Sequence, residues 1–162
     1  VRIRVDLEGR VEVHGMQRVG VDLVESLFLD AELARDGDDA DSPSRIAVRF
    51  QCHRDAPFRA VREVMRACGD PTVRILRIQF AVRHPKTGAP GCIAARLPAV
   101  WKGVPPAPPD GPDTAVVRTS EETTVGEVVA RLVGLRRSGF TRAVFRDAAE
   151  PDSPIVVSLG GE

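Results

Sequence analysis

Residues 123–145, TTVGEVVARLVGLRRSGFTRAVF, pass from a helical period to a strand period without a break. Val125, Val128, Val129 and Leu132 recur at helical spacing, with Leu135 one turn further along. Thr124 and Glu127 stand in the relation of a capping box, where hydroxyl and carboxylate each satisfy the other's backbone N–H. Gly139 ends the helix, and TRAVFR reads as a strand. The same unit occurs earlier, in DAPFRAVREVMRACGDPTVRILRIQF at residues 55–80. Setting Phe58-x-x-Val61-x-x-Val64-Met65 against Val125-x-x-Val128-Val129-x-x-Leu132 gives an offset of 67 residues. The strands before these helices, around Val48 and Val116, agree within one residue. The pattern reads as a degenerate internal repeat of a strand-helix-strand core.

On the N-terminal side, VRIRVDLEGRVEVHG alternates Val1, Ile3, Val5 and Leu7 with polar residues. It turns at Glu8-Gly9 and resumes at Val11 and Val13, which predicts a hairpin. A helix is expected over 22–35, with Asp22 as its cap and Leu23, Val24, Leu27, Phe28 and Ala31 on one face. RIAVRFQ reads as a strand with Ile46, Val48 and Phe50 inward. Asp55 is the expected cap of the helix at 57–68, whose buried stripe is Val61, Val64, Met65 and Cys68. VRILRIQFAV is the next strand, CIAARLPAVW a weaker one, AVVRTS another and PIVVSLG the last. KGVPPAPPDGPD holds five prolines and reads as an extended connector. The fold expected is α/β (α+β): a mixed sheet with three helices, β-β-α-β-α-β followed by a partial β-β-α-β-β repeat. The units are 1–86 and 87–162, the second packed on the first. Leu23, Leu27, Ile46, Val48, Phe50, Val61, Met65, Ile78, Val128 and Leu132 should be core.

Composition narrows the function. With 43% apolar and 28% charged residues, the 162-residue chain should be globular. Lys+Arg and Asp+Glu are both 23, so the net charge is zero and a chain-wide electrostatic grip on nucleic acid is not expected. A local basic patch stays open. Lys86 and Lys102 are the only lysines, so nearly every cation is a guanidinium, suited to carboxylates and other anions. Cys52, Cys68 and Cys92 form no CxxC pair and read as small buried hydrophobes rather than zinc ligands. DGDDAD at 36–41 has no Gly at the sixth loop position and Ala47 where a bidentate Glu would stand, so it reads as a solvated loop rather than a calcium site. There is no P-loop, GxGxxG or GxSxG motif. His14, His53 and His84 have no metal spacing, and His53 with Asp55 is a weak acid-base pair. No catalytic residue, metal or cofactor is expected, and Trp101 reads as a packing residue. No run of about 18 apolar residues occurs, nor a signal peptide. The opening at Val1 inside a strand pattern reads as a piece of a longer protein whose missing segment could hold a membrane anchor.

The order of these stretches resembles the periplasmic domain of the ExbD/TolR biopolymer-transport family. Gly9 and Gly15 match its hairpin glycines, Leu23 and Leu27 its first helix, and Pro57-Phe58, Val61, Val64 and Met65 its second, with Phe58 where the family usually has Tyr. Ser138-Gly139 matches the end of that helix in the second half. The likeness covers residues 1–82 well and 113–146 partly; the family's Asp after the third strand falls on His53. The resemblance implies a non-catalytic periplasmic domain of a single-pass inner-membrane protein in a complex driven by proton flow. Its partners would be an ExbB/TolQ-like channel subunit, through the missing transmembrane segment, and a TonB/TolA-like protein or peptidoglycan. It would work as a homodimer or as an internal pseudo-dimer. PIVVSLG is the expected open edge, with Ile155, Val156, Val157, Ser158 and Leu159 the expected partner-binding residues. The alternative reading is a generic α/β ligand- or protein-binding domain.

Overall fold

The computed structural model describes residues 1–35, 42–83, 86–99 and 111–160. The acidic run at 36–41, His84, Trp101 and most of the proline-rich connector lie outside the described residues.

The first half begins with strands β1 (Arg2–Val5), β2 (Val11–Val13) and β3 (Met16–Gln17) and helix α1 (Gly20–Leu33). It continues with β4 (Ser44–Cys52), α2 (Phe58–Gly69) and β5 (Ile75–Arg83). Then come β6 (Pro90–Arg96), β7 (Thr114–Thr119), α3 (Val125–Arg137), β8 (Arg142–Asp147) and β9 (Ile155–Leu159). This is the expected order with the short β3 added. All nine strands form one mixed sheet in the order β3-β2-β1-β4-β5-β6-β9-β8-β7. The pairs β1–β4, β4–β5 and β7–β8 are parallel, each bridged by one of the three helices; the rest are antiparallel.

One apolar cluster joins the inward residues of the strands to all three helices. It takes Val48, Phe50, Ile78 and Phe80 from the central strands, Leu27 from α1, Val61 and Met65 from α2, and Val128 and Leu132 from α3. The helices therefore lie on one face of the sheet, and the other face carries none among the described residues. Phe58 of α2 meets Phe145 of β8 with ring centroids 5.1 Å apart, tying the halves together. Of the expected core, only Ile46 is half-buried, because the β4–β5 register shifts between Ser44 and Ala47.

Pairing shows how the repeat is built. β6 pairs with β5 from Arg77↔Arg96 to Arg83↔Pro90, so the units that correspond are β4-α2-β5-β6 and β7-α3-β8-β9. Their last strands meet through Ala95↔Leu159 and Arg96↔Ser158. Their strand-to-helix junctions also meet. Phe58 N–H donates to Thr123 O (2.9 Å) and Val125 N–H to Ala56 O (2.8 Å), around an antiparallel bridge Pro57↔Thr124. Phe58 and Val125 are separated by the 67-residue offset, and so are Ala56 and Thr123 and the bridging Pro57 and Thr124. The two hydrogen bonds are thus one contact made twice about a local two-fold axis, the isologous geometry of a dimer within one chain.

Three local expectations are corrected. Val19 rather than Asp22 caps α1, with no side-chain bond, and Asp22 sits in the first turn. Pro57 rather than Asp55 caps α2, with no side-chain bond because Pro57 has no side-chain acceptor, and the Phe58 N–H goes to Thr123 O of the other half. Leu7 does not continue the strand: the Asp6 carboxylate accepts from the Glu8 and Arg10 N–H groups and turns the chain. The capping box of α3 is present as expected.

Candidate binding surfaces

The residues assigned to an open edge do not form one. β9 lies between β6 and β8, paired with β8 from Arg142↔Ser158 to Phe145↔Ile155 and with β6 at its C-terminal end. Val157 and Leu159 are buried, Ile155 and Val156 half-buried, and Ser158 exposed. The edges of the sheet are β3, two residues long, and β7, six residues long. On β7, Val116 is 46% exposed. The Arg131 guanidinium from α3 reaches over to donate to Arg118 O (2.9 Å), occupying one main-chain acceptor of that strand.

A polar cluster lies at the C-terminal ends of β7 and β8. Arg62 of α2 and Asp147 of β8 are both buried, with Nη1 to Oδ2 2.5 Å. The Thr119 hydroxyl donates to Asp147 (2.9 Å), and Arg62 Nη2 also pairs with Glu150 (2.9 Å), which Arg66 holds from the rim. Burial pushes the Asp147 carboxyl up, but the Ala149 N–H, the Thr119 hydroxyl and the Arg62 guanidinium outweigh it and hold the group below the usual carboxylate range. The Arg66 hydrogen bond does the same for Glu150. These groups consume one another's charge; the cluster is a clamp between α2 and the second half. The sequence showed no sign of it, because Arg62 and Asp147 are far apart in the chain.

His53 and Asp55 stand together at the β4–α2 junction, both exposed, with Nδ1 to Oδ2 3.8 Å. The Asp55 N–H donates to His53 Nδ1 (3.2 Å), so this nitrogen serves a turn. Cys68 is buried, Cys52 half-buried and Cys92 exposed, all as free thiols. Burial pushes the thiols of Cys52 and Cys68 up to about 12. No group of three or more His, Cys, Asp or Glu arranged to hold a metal occurs among the described residues.

Two further surfaces stand out. Helix α1 packs through Leu23, Leu27 and Ala31, leaving Val21, Phe28, Leu29 and Leu33 exposed, Leu33 at 88%. The helix-free face of the sheet is arginine-rich. The strands carry ten arginines and two carboxylates, Glu12 and Asp147, and Asp147 points to the helix side with Arg62. Set against family models, curated proteins and solved structures, the chain matches none. No helix among the described residues is long and apolar enough to cross a membrane.

Proposed function

We propose that this chain is a non-catalytic, periplasmic module of an inner-membrane complex of the ExbD/TolR kind, driven by the proton-motive force and acting through protein-protein or cell-wall binding. The observation that carries the reading is the element order over residues 2–83: hairpin, helix, strand, helix, strand, with β1, β4 and β5 parallel. That is the order the ExbD/TolR resemblance implies. The local two-fold supports the internal pseudo-dimer form of that family's working unit. On this reading an ExbB/TolQ-like subunit engages a segment before Val1, and a TonB/TolA-like protein or peptidoglycan engages the folded part. Because β9 is internal, the strand that offers free main-chain groups to a partner is β7.

Cys92 supplies the test, since it is the exposed thiol of the three. In native cells with a permeabilised outer membrane, a membrane-impermeant maleimide should label Cys92 before the inner membrane is broken. A photo-crosslinker at Val116 should capture a second envelope protein, and a protonophore should change the yield. Labelling of Cys92 only after lysis would refute the periplasmic reading and favour a generic α/β binding domain.

A further inference from the structure

The net charge of zero conceals a segregation. Strand alternation puts buried side chains on the helix side and arginines on the other, and register then stacks arginine beside arginine. Arg2 lies directly opposite Arg49, Arg77 opposite Arg96, and Arg118 opposite Arg146. Like charges facing each other across a ladder destabilise a sheet. None of Arg2, Arg77, Arg96, Arg118 or Arg146 makes an ion pair among the described residues; Arg49 bonds the neutral Gln79 amide. Carboxylates meet this face at its margins, where Glu12 approaches Arg4 (3.8 Å) and Asp113 approaches Arg142 (3.3 Å). Arg77 and Arg96, with Arg45, line a depression of about 250 Å³.

We infer that the helix-free face docks on an anionic phospholipid bilayer. The charge is spread across the sheet rather than along one groove: β1 and β7 are six strand spacings apart, about 29 Å. A laterally fluid array of phosphate headgroups can match such a spread. Beside Arg118, Arg142 and Arg146 runs a registered valine row, Val116–Val144–Val156, in which Val116 is exposed, Val156 half-buried and Val144 buried, and an exposed valine flanked by guanidinium groups suits the headgroup boundary. The strand phenylalanines Phe50, Phe80 and Phe145 are buried in the helix-side core, so they offer this face no ring for stacking bases, which disfavours single-stranded nucleic acid. The three helices together carry six carboxylates and six arginines, so the other layer is charge-balanced and the surplus of cations in the secondary structure lies on the sheet, which turns the sheet face toward a negative surface. The inference stands independently of the ExbD/TolR reading, since it rests on charge and register alone.

Co-sedimentation of the intact chain with vesicles tests it. The protein should pellet with mixed phosphatidylcholine–phosphatidylglycerol vesicles at low salt, but not with phosphatidylcholine alone. It should be released at about 1 M salt, where the Debye length is about 3 Å. With each arginine near an anionic surface contributing about 1 kcal/mol, the double variant Arg77→Gln/Arg96→Gln should lose at least about tenfold in partitioning, as should Arg2→Gln/Arg49→Gln. Neither should melt lower than wild type, because each removes a like-charge pair; this separates a binding role from a structural one. Equal binding to neutral vesicles, no binding to anionic ones, wild-type partitioning of both double variants, or displacement from vesicles by an equimolar short DNA duplex would overturn the proposal.

Discussion

The units β4-α2-β5-β6 and β7-α3-β8-β9 share a topology and differ in self-sufficiency. In the first, β4 and β5 are nine residues long and α2 buries eight residues. In the second, β7 and β8 are six residues long and α3 buries three. The first is flanked by the β1–β2 hairpin and α1; the second ends at the β7 edge. The helix caps differ in the opposite sense. Each helix gives its first N–H to a backbone carbonyl of the other unit, and it is the second unit that adds a side-chain cap of its own, Thr124 with Glu127. A repeat can thus lose apolar area in one copy when the other supplies the missing surface, and the interface then carries polar as well as apolar load.

The largest effect should come from separating the copies. Residues 111–160 alone should be unfolded by circular dichroism, because a unit this small and this thinly buried cannot offset its chain entropy. Residues 1–99 should keep a cooperative transition. A stable monomeric 111–160 would show that the copies are independent.

Next is the clamp. Asp147→Ala takes the buried partner from the Arg62 guanidinium, leaving it Glu150 at the rim, and should cost about 3 kcal/mol in denaturant unfolding, the low end for a broken buried pair. Since the folded pKa of Asp147 is depressed, its contribution is present above the unfolded carboxylate value of about 3.9 and disappears as pH falls through the folded value. Asp147→Asn should therefore flatten the loss of stability below about pH 4. An unchanged acid limb would remove the clamp from the comparison.

Two glycines of α3 sharpen the junction. A Cβ at Gly126 would stand 2.9 Å from Arg54 O, to which the Gly126 N–H donates at 2.7 Å. A Cβ at Gly134 would meet nothing within 4 Å. Gly126→Ala should destabilise by about 1–3 kcal/mol, and Gly134→Ala should stabilise by about 0.8–1 kcal/mol. Equal effects would mean that the junction is not tightly packed. The smallest perturbation is thiol labelling in the folded state: Cys92 should react first, Cys52 slowly and Cys68 only on unfolding.

The sequence carried much of the fold because its signals are local. The capping box placed α3, alternation placed β1, β4 and β5, and helical spacing found Val61 and Met65. Strand order could not be read in the same way, since it depends on which edges meet far along the chain, and so Ile155–Leu159 went to an edge instead of the interior. The partner of the Phe58 N–H was hidden for a like reason: Thr123 O lies in the other copy. The arginine face was half visible. Arg2 and Arg4 alternate openly with Ile3 and Val5, but only register shows that Arg77 meets Arg96, and the balanced total charge masks the segregation.

The central claim is that the two copies meet about a local two-fold axis, with Arg96 and Ser158 facing each other across β6 and β9. Directly opposed antiparallel residues have Cα atoms about 4.5–5.5 Å apart, within disulfide range. In a chain with its native cysteines replaced by serine, Arg96→Cys and Ser158→Cys together should form an intramolecular disulfide under mild oxidation and raise the thermal midpoint. Failure to form that bond while the protein stays folded, or formation only between separate molecules, would contradict the joined sheet.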